Sequence, residues 1–189
     1  MVIIEHQLIK LFCADLSMNR PGFSILHCDP EAKTVQLVRK SVVDNKNYKG
    51  GKKPHGQRLA ENAHELRSYM DSDMELIFVR ERGFYKSATE TEVIFKMVGV
   101  SDLYAWRYEK VFEEIPPTVI KKVLTGNPKA EKDEVAASLE RYVGKQDYLF
   151  DDESDSVAVG ICWLIQHHYL DPPPVEEKEE PKKKKQRVK

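Results

Sequence analysis

The chain has 189 residues and a formal net charge of −1, with 41% hydrophobic and 32% charged residues. This length allows one domain with a sizeable core, and the near-neutral charge excludes binding to nucleic acid through overall charge alone. Three scattered cysteines, Cys13, Cys28 and Cys162, form no CxxC pair. A disulfide framework or a zinc site is therefore not expected. The cysteines instead indicate a reducing compartment, and we expect the protein in the cytoplasm. No stretch is apolar enough for a signal peptide or membrane span.

The first half of the chain predicts three strands, at 8–16, 22–28 and 34–41, joined by short links as an antiparallel meander. A polar loop is predicted at 44–58, with one acid against five basic residues: Lys46, Lys49, Lys52, Lys53 and Arg58. After this loop, apolar residues recur at helical spacing up to Met70.

The second half predicts a buried strand at 75–80, a helix at 88–109, a strand at 111–115 and helices at 129–143 and 152–169. Pro116 and Pro117 are expected to interrupt the regular structure after the strand at 111–115. The order of elements predicts an α/β domain over 1–170, with helices packed on a mixed sheet. Residues 171–189 are too polar to fold and predict a disordered charged tail.

Four acids stand at the ends of predicted elements. Asp15 and Glu81 each end an apolar strand, and Asp152 and Asp155 lie three apart at the start of the last helix, on one face. Taken singly, each acid is more typical of a turn, an N-cap or a favourable charge in a first helical turn. If the two strands are neighbours, however, the carboxylates converge, and a divalent cation such as Mg²⁺ is the natural partner of such a set. Two such ions, about 3.5–4 Å apart, are suited to phosphodiester hydrolysis.

Four stretches of the chain carry a resemblance to a known family. In chain order they are ADLSMNRPGFSIL, VRERGFYKSATE, VLTGNPKAEKDEVAASL and DDESDSVAVGICWL. Together they resemble motifs of the RuvC-type Holliday-junction resolvases of the ribonuclease H-like superfamily, and the phage-type members most closely. The resemblance covers roughly residues 10–170. It implies a ribonuclease H-like mixed five-stranded sheet flanked by helices, in a bacterial or phage-infected cell.

Carried onto this chain, the resemblance implies that Asp15, Glu81, Asp152 and Asp155 bind the metal, as two Mg²⁺ or Mn²⁺ ions. It implies that Lys132 approaches the scissile phosphate and that Lys121 helps to hold it. Phe84 would stack on a base at the centre of the junction. The remaining predicted DNA contacts are Arg82, beside that aromatic, and the loop lysines Lys49, Lys52 and Lys53.

Alternatives stay open for several of these residues. Asp151 is a substitute for Asp152 if the register of the last pair slips by one, and Lys122 is a substitute for Lys121. Without the resemblance, Lys132 is more typical of a solvent-exposed charge. Phe84 also fits an aromatic side chain of the core. The basic loop also fits a merely solvent-exposed segment.

The function expected from the resemblance is a metal-dependent endonuclease that resolves four-way DNA junctions by two symmetric nicks, leaving 5′-phosphate and 3′-hydroxyl ends. Two matching cuts suit a homodimer, with the helix at 88–109 as the predicted interface. Its apolar positions exceed one buried stripe: Ile94, Met97, Val98, Val100, Leu103 and Trp106. The alternative is that all of them lie in the core of the domain. The alternatives are a broader branched-DNA nuclease, a ribonuclease H-type hybrid nuclease and a non-catalytic junction-binding scaffold, which would not need four acids.

Overall fold

The computed structural model describes residues 7–46, 53–83 and 88–174, with the side chains of 88–90 excepted. Within these ranges the elements are β1 (Ile9–Asp15), β2 (Gly22–Asp29), β3 (Thr34–Val42), α1 (His55–Met70), β4 (Ile77–Glu81), α2 (Ala88–Arg107), β5 (Phe112–Ile115), α3 (Pro117–Thr125), α4 (Lys132–Val143) and α5 (Asp151–Gln166). In these ranges no helix is both long and apolar enough to cross a membrane.

The five strands form one mixed sheet in the order β3-β2-β1-β4-β5. The strands β1, β2 and β3 pair antiparallel, as the short links between them predict. On the other side of β1, β4 pairs parallel with β1, and β5 pairs parallel with β4. The predicted α/β architecture with a mixed five-stranded sheet is therefore confirmed.

The sheet has a hydrophobic core on each face, because successive side chains of a strand point to opposite faces. On β1, Leu11 and Cys13 pack with α3, α4 and α5. Phe12 and Ala14 pack with α1 and α2 on the other face. Phe12 is the centre of an aromatic cluster there, with ring centroids 5.4–6.5 Å apart in contacting pairs: Phe23, Tyr69, Phe78, Tyr108 and Phe112.

The same alternation directs two of the predicted acids. Val79 packs on the α5 face, as Cys13 does, and the two residues are partners in the parallel pairing of β1 with β4. Asp15 and Glu81 lie two positions further along these strands. Both acids therefore leave the sheet on the α5 face, at the carboxyl ends of adjacent parallel strands.

Helix α5 lies unusually close to the sheet at Gly160. A Cβ atom at this position would stand 2.5 Å from both Cys13 Sγ and Leu26 Cδ1, and both of these side chains are fully buried. The absence of a side chain at 160 therefore sets the depth at which α5 packs on β1 and β2.

The structure corrects two predictions. The Pro116–Pro117 pair does not end the regular structure, because Pro117 takes the first position of α3, where a backbone N–H would have no helical partner in any case. The polar loop predicted at 44–58 ends too late, since α1 already begins at His55 and Arg58 is a buried helical residue. The predicted domain 1–170 and disordered tail 171–189 stay predictions, and 175–189 lie outside the described residues.

We expect Gly160→Ala to destabilise the protein by about 1–3 kcal/mol, because the added methyl group overpacks a close contact between helix and sheet. Gly56→Ala in α1 is the matched control, since nothing lies within 4 Å of the Cβ position there. That control should be neutral or stabilising. Urea unfolding of the three proteins measures the difference, and a stabilised Gly160→Ala variant would show that α5 tolerates a shift.

Candidate active site

A cleft of about 450 Å³ opens at the carboxyl ends of β1 and β4. Three acids and two lysines line it: Asp15, Glu81, Asp155, Lys121 and Lys132. Its apolar walls come from the β1 end, α2, α3 and α4: Leu16, Ile94, Val98, Pro117, Ile120 and Val135. Five elements, β1, β4, α3, α4 and α5, thus bring the predicted acids and bases to one place.

The first turn of α5 supplies the remaining acid. Asp152 does not line the cleft, but its negative charge acts on both Asp15 and Asp155. Asp151 is exposed, and its charge acts on Asp155. Phe150 is the N-cap of α5, so neither aspartate has that structural role. This arrangement favours Asp152 over Asp151 in the acid set.

Gly22 allows the first turn of α5 to approach the sheet. A Cβ atom at Gly22 would lie 1.7 Å from the backbone carbonyl oxygen of Asp152, so no other residue fits without moving the helix. Since Gly22 pairs with Asp15 across β1 and β2, this contact joins two of the predicted acids through the backbone.

A buried carboxylate anchors the same helical turn. Glu153 accepts hydrogen bonds from Lys40 Nζ at 3.1 Å and from the backbone N–H of Leu149 at 2.8 Å. Next to it, the Arg20 guanidinium stacks on the Phe150 ring, 4.0 Å from the centroid. These contacts hold the segment before α5 against β3 and the β1–β2 loop, and so restrict where Asp152 and Asp155 stand.

Burial and mutual repulsion dominate the electrostatics of the acids. Burial, followed by the charges of Glu81, Asp155 and Asp152, holds the pKa of Asp15 well above its usual range. Burial and the charge of Asp155 raise the pKa of Glu81 to about 7, against the opposing effect of Lys132 and Lys121. Burial also raises the pKa of Asp155, although Lys132 opposes it. The carboxylates therefore need added positive charge to be ionised together at neutral pH.

Lys132 is the first residue of α4, and its ammonium donates a 2.5 Å hydrogen bond to Asp155 Oδ2. Burial opposes the charged form of Lys132, but the bond to Asp155 and the charges of Asp155, Asp15 and Asp152 outweigh it and raise the pKa of this lysine. Lys132 thus faces the acids as a cation and is not a purely solvated charge.

The donor set fits hard divalent cations such as Mg²⁺ or Mn²⁺. The side chains are carboxylates, their pKa values are raised by burial and by their mutual repulsion, and the cleft has room for ions and their waters. As the side chains stand, no three His, Cys, Asp or Glu residues in the described ranges form an assembled metal-binding group. The specific ligand set therefore stays a prediction.

The other predicted DNA contacts differ in their surroundings. Lys121 lines the cleft, whereas Lys122 is exposed outside it. Arg82 is exposed and lies 3.4 Å from Glu114, and Lys53 forms an ion pair with Glu61 at 2.5 Å. Phe84, Lys49 and Lys52 lie outside the described residues.

The sequence reasoning missed the residues that support the acids. Neither the buried ion pair of Glu153 nor the packing role of Gly22 is predicted from the sequence. The sequence does contain a signal for Gly22, because a glycine at the start of a strand is typical of a close approach of another backbone. Glu153 carried no such signal, because its partners, Lys40 and Leu149, become neighbours only in the fold.

We expect Glu81→Gln to stabilise the protein in EDTA by roughly 1–3 kcal/mol at pH 8, and less at pH 5. The stability from protonated Glu81 is fully present below the unfolded pKa of about 4.5 and is lost as the pH rises through the folded pKa of about 7. Glutamine imitates the protonated form at every pH. Thermal unfolding at both pH values measures the effect, with the exposed Glu140→Gln in α4 as control. An equal gain at both pH values would contradict the proposed charge repulsion.

Comparison with known proteins identifies the family. The family model described as crossover junction endodeoxyribonuclease RuvC matches residues 13–163. A protein of that name from Synechococcus sp. (strain CC9311) is 23% identical over 160 residues, covering 84% of this chain and 100% of the relative. Its namesake from Prochlorococcus marinus (strain MIT 9313) is 32% identical over 108 residues, covering 56% of this chain and 70% of the relative.

Solved structures share the fold. T. thermophilus RuvC in complex with a Holliday junction substrate superposes with a TM-score of 0.73 at 15% identity, covering 85% of this chain and 95% of that chain. The Fowlpox virus resolvase in complex with Holliday junction DNA superposes with a TM-score of 0.55 at 16% identity, covering 84% and 99%. The resemblance read from the four sequence motifs is confirmed, and this chain belongs to the crossover junction endodeoxyribonuclease RuvC family.

Proposed function

We propose that this protein is a divalent-metal-dependent endonuclease that resolves four-way DNA junctions by paired symmetric nicks. The observation that carries the proposal is the cleft in which Asp15, Glu81 and Asp155 meet Lys132 at the end of two parallel strands, in a chain of the RuvC family. An acid set of this kind has no use in a scaffold that only binds DNA, because unpaired buried carboxylates repel a phosphate backbone.

The four acids would hold two Mg²⁺ or Mn²⁺ ions between them. When bound, such ions activate a water for attack on phosphorus and stabilise the leaving 3′ oxygen. Asp15 and Glu81 project from rigid strand ends, and Asp152 and Asp155 from a helix that Gly22 and Glu153 hold in place. These contacts restrict where the carboxylates stand, and their side chains would complete the ligand set when the ions bind.

The lysines would serve the phosphate itself. Lys132 already faces the acids, so its ammonium can move from Asp155 to a phosphate oxygen and offset the charge that develops there. Lys121 lines the same cleft from α3 and can hold a second oxygen. Cleavage in this geometry would leave 5′-phosphate and 3′-hydroxyl ends.

The choice of substrate is supported by the structural neighbours, since the T. thermophilus RuvC and the Fowlpox virus resolvase both stand in complexes with Holliday junction DNA. Phe84 would stack on a base at the junction centre, and the basic residues Arg82, Lys49, Lys52 and Lys53 would contact phosphates.

Residues 1–170 would form the nuclease domain and 171–189 a charged tail, in a cytoplasmic protein.

A homodimer would supply two matching sites for the two symmetric strands of a junction. Helix α2 supports this proposal, because Leu103 and Trp106 are 59% and 75% exposed near its end. Large apolar side chains at this exposure, three residues apart on one helical face, are suited to burial against a second copy.

The test of function uses Asp15→Asn on a synthetic mobile four-way junction. We expect this variant to bind the junction with about the affinity of the wild type and to lose nicking in Mg²⁺ or Mn²⁺ by at least about 100-fold, because one carboxylate of the set is gone. Asp151→Asn is the matched control and should nick normally. A hybrid RNA–DNA duplex assayed in parallel distinguishes the ribonuclease H-type alternative. Undiminished cutting by Asp15→Asn, or cutting that EDTA does not abolish, would reject the proposed site.

For the dimer, we expect Trp106→Glu to convert the protein to a monomer and to uncouple the two nicks, since a charge replaces an apolar contact. Sedimentation equilibrium gives the mass, and a junction on supercoiled DNA separates paired from single cuts. The exposed Val111→Glu, just before β5, is a control for surface charge. A dimer that survives Trp106→Glu unchanged would exclude this face of α2 as the interface.

A further inference from the structure

Arg58 is a buried cation on α1 that no part of the proposed nuclease site uses. Only 3% of its surface is exposed, and it lies in the first turns of a helix that begins at His55. Its Nη1 donates a 2.8 Å hydrogen bond to Asn19 Oδ1 in the β1–β2 loop. Its Nε and Nη2 are buried without a hydrogen-bond partner.

Burial of a guanidinium without a counter-charge is costly, and this protein avoids it elsewhere. The buried Arg80 bonds to Asp102 at 2.6 Å, to Glu114 at 2.7 Å and to the Ser101 hydroxyl. Among the described residues, Arg58 has no acid within ion-pair distance. The contrast between the two arginines indicates that the charge of Arg58 is neutralised only by an anionic partner from outside the chain.

Two acids in the region of Arg58 form ion pairs with other cations. Asp44 binds Arg20 at 2.9 Å, and Glu61, one turn beyond Arg58 on α1, binds Lys53 at 2.5 Å. Asn62 donates to the carbonyl oxygens of Ser17 and Met18, and Asn45 accepts a hydrogen bond from Lys53 and donates one to Asn62, so these contacts supply no negative charge to Arg58.

The start of α1 adds a second feature that favours an anion. Pro54 is the N-cap, no side chain caps the helix, and the first turn contains no acid. The positive end of the helix dipole, with the backbone N–H groups of 55–57 that have no helical partner, therefore lies at exposed residues. Because long side chains on a helix lean towards its N-terminus, we expect the Arg58 guanidinium, four residues into α1, to lie near this end.

We propose that Arg58 and the N-terminus of α1 form an anion site that binds a backbone phosphate of the DNA strand entering the cleft. Asn19 is exposed and its side-chain oxygen accepts the hydrogen bond from Arg58 Nη1, so a phosphate oxygen would take the place of this amide. Asn19 is four residues from Asp15, which limits the distance between their Cα atoms to about 14 Å. The site therefore lies on the same edge as the acids, a few nucleotides from the scissile phosphate. The identity of the strand rests on the proposed function, whereas the anion site does not.

The test compares Arg58→Met with the wild type in two measurements. First, thermal unfolding is followed in inorganic phosphate and in chloride at equal ionic strength. Phosphate should raise the melting temperature of the wild type but not of Arg58→Met, and in chloride the variant should be as stable as the wild type or more stable. Second, binding to a four-way junction in Ca²⁺ should weaken about tenfold, with the slope of log affinity against log salt smaller by about 1.

Arg67→Met, on the exposed side of the same helix, is the matched control for removing one positive charge, and it should change neither measurement. Arg58→Lys should restore part of the phosphate response. If Arg58→Met lowers the melting temperature in chloride while phosphate response and junction affinity persist, Arg58 is only a clamp on the β1–β2 loop and the inference is wrong. If the wild type fails to bind junctions but responds to phosphate through Arg58, the anion site stands and the proposed DNA substrate does not.

Discussion

Repulsion among buried carboxylates is the constraint on which the rest of this structure depends. Asp15 and Glu81 end adjacent parallel strands, and Asp155 faces them from α5. Burial and proximity raise the pKa of each of them, which makes the folded protein without ligands less stable at higher pH. A fold keeps such a cluster only if the surrounding contacts are strong enough to hold it, and the same repulsion creates affinity for divalent cations.

Those surrounding contacts are concentrated on helix α5. Gly160 lets the helix sink onto Cys13 and Leu26, and Gly22 lets its first turn touch the start of β2. The buried Glu153, bonded to Lys40 and to the Leu149 backbone, holds the segment that precedes the helix. Close packing and a satisfied buried ion pair thus position the acids, so that the geometry of the cleft depends on residues that do not line it.

The opposite face of the sheet and its surroundings show a different use of charge. There Arg80 is neutralised by Asp102 and Glu114 and joins β4 to α2 and β5, beneath an aromatic core around Phe12. Arg58, on the same side of the sheet, lacks such partners. The protein therefore contains one buried arginine that its own acids neutralise and one that has no such partner among the described residues, whereas Lys132 at the cleft bonds to Asp155.

The amino-acid sequence by itself determined the order of the strands and of the helices other than α3, and the positions of Asp15 and Glu81, because hydrophobic alternation has a fixed period and acids at strand ends are visible in it. It also carried the family motifs. Only the tertiary structure decided that α3 forms after Pro116, that Lys132 bonds to Asp155, that the charge of Asp152 acts on Asp15, and that Arg58 is buried without a counter-charge among the described residues. These features depend on contacts between residues far apart in the chain, and local patterns do not encode such distances.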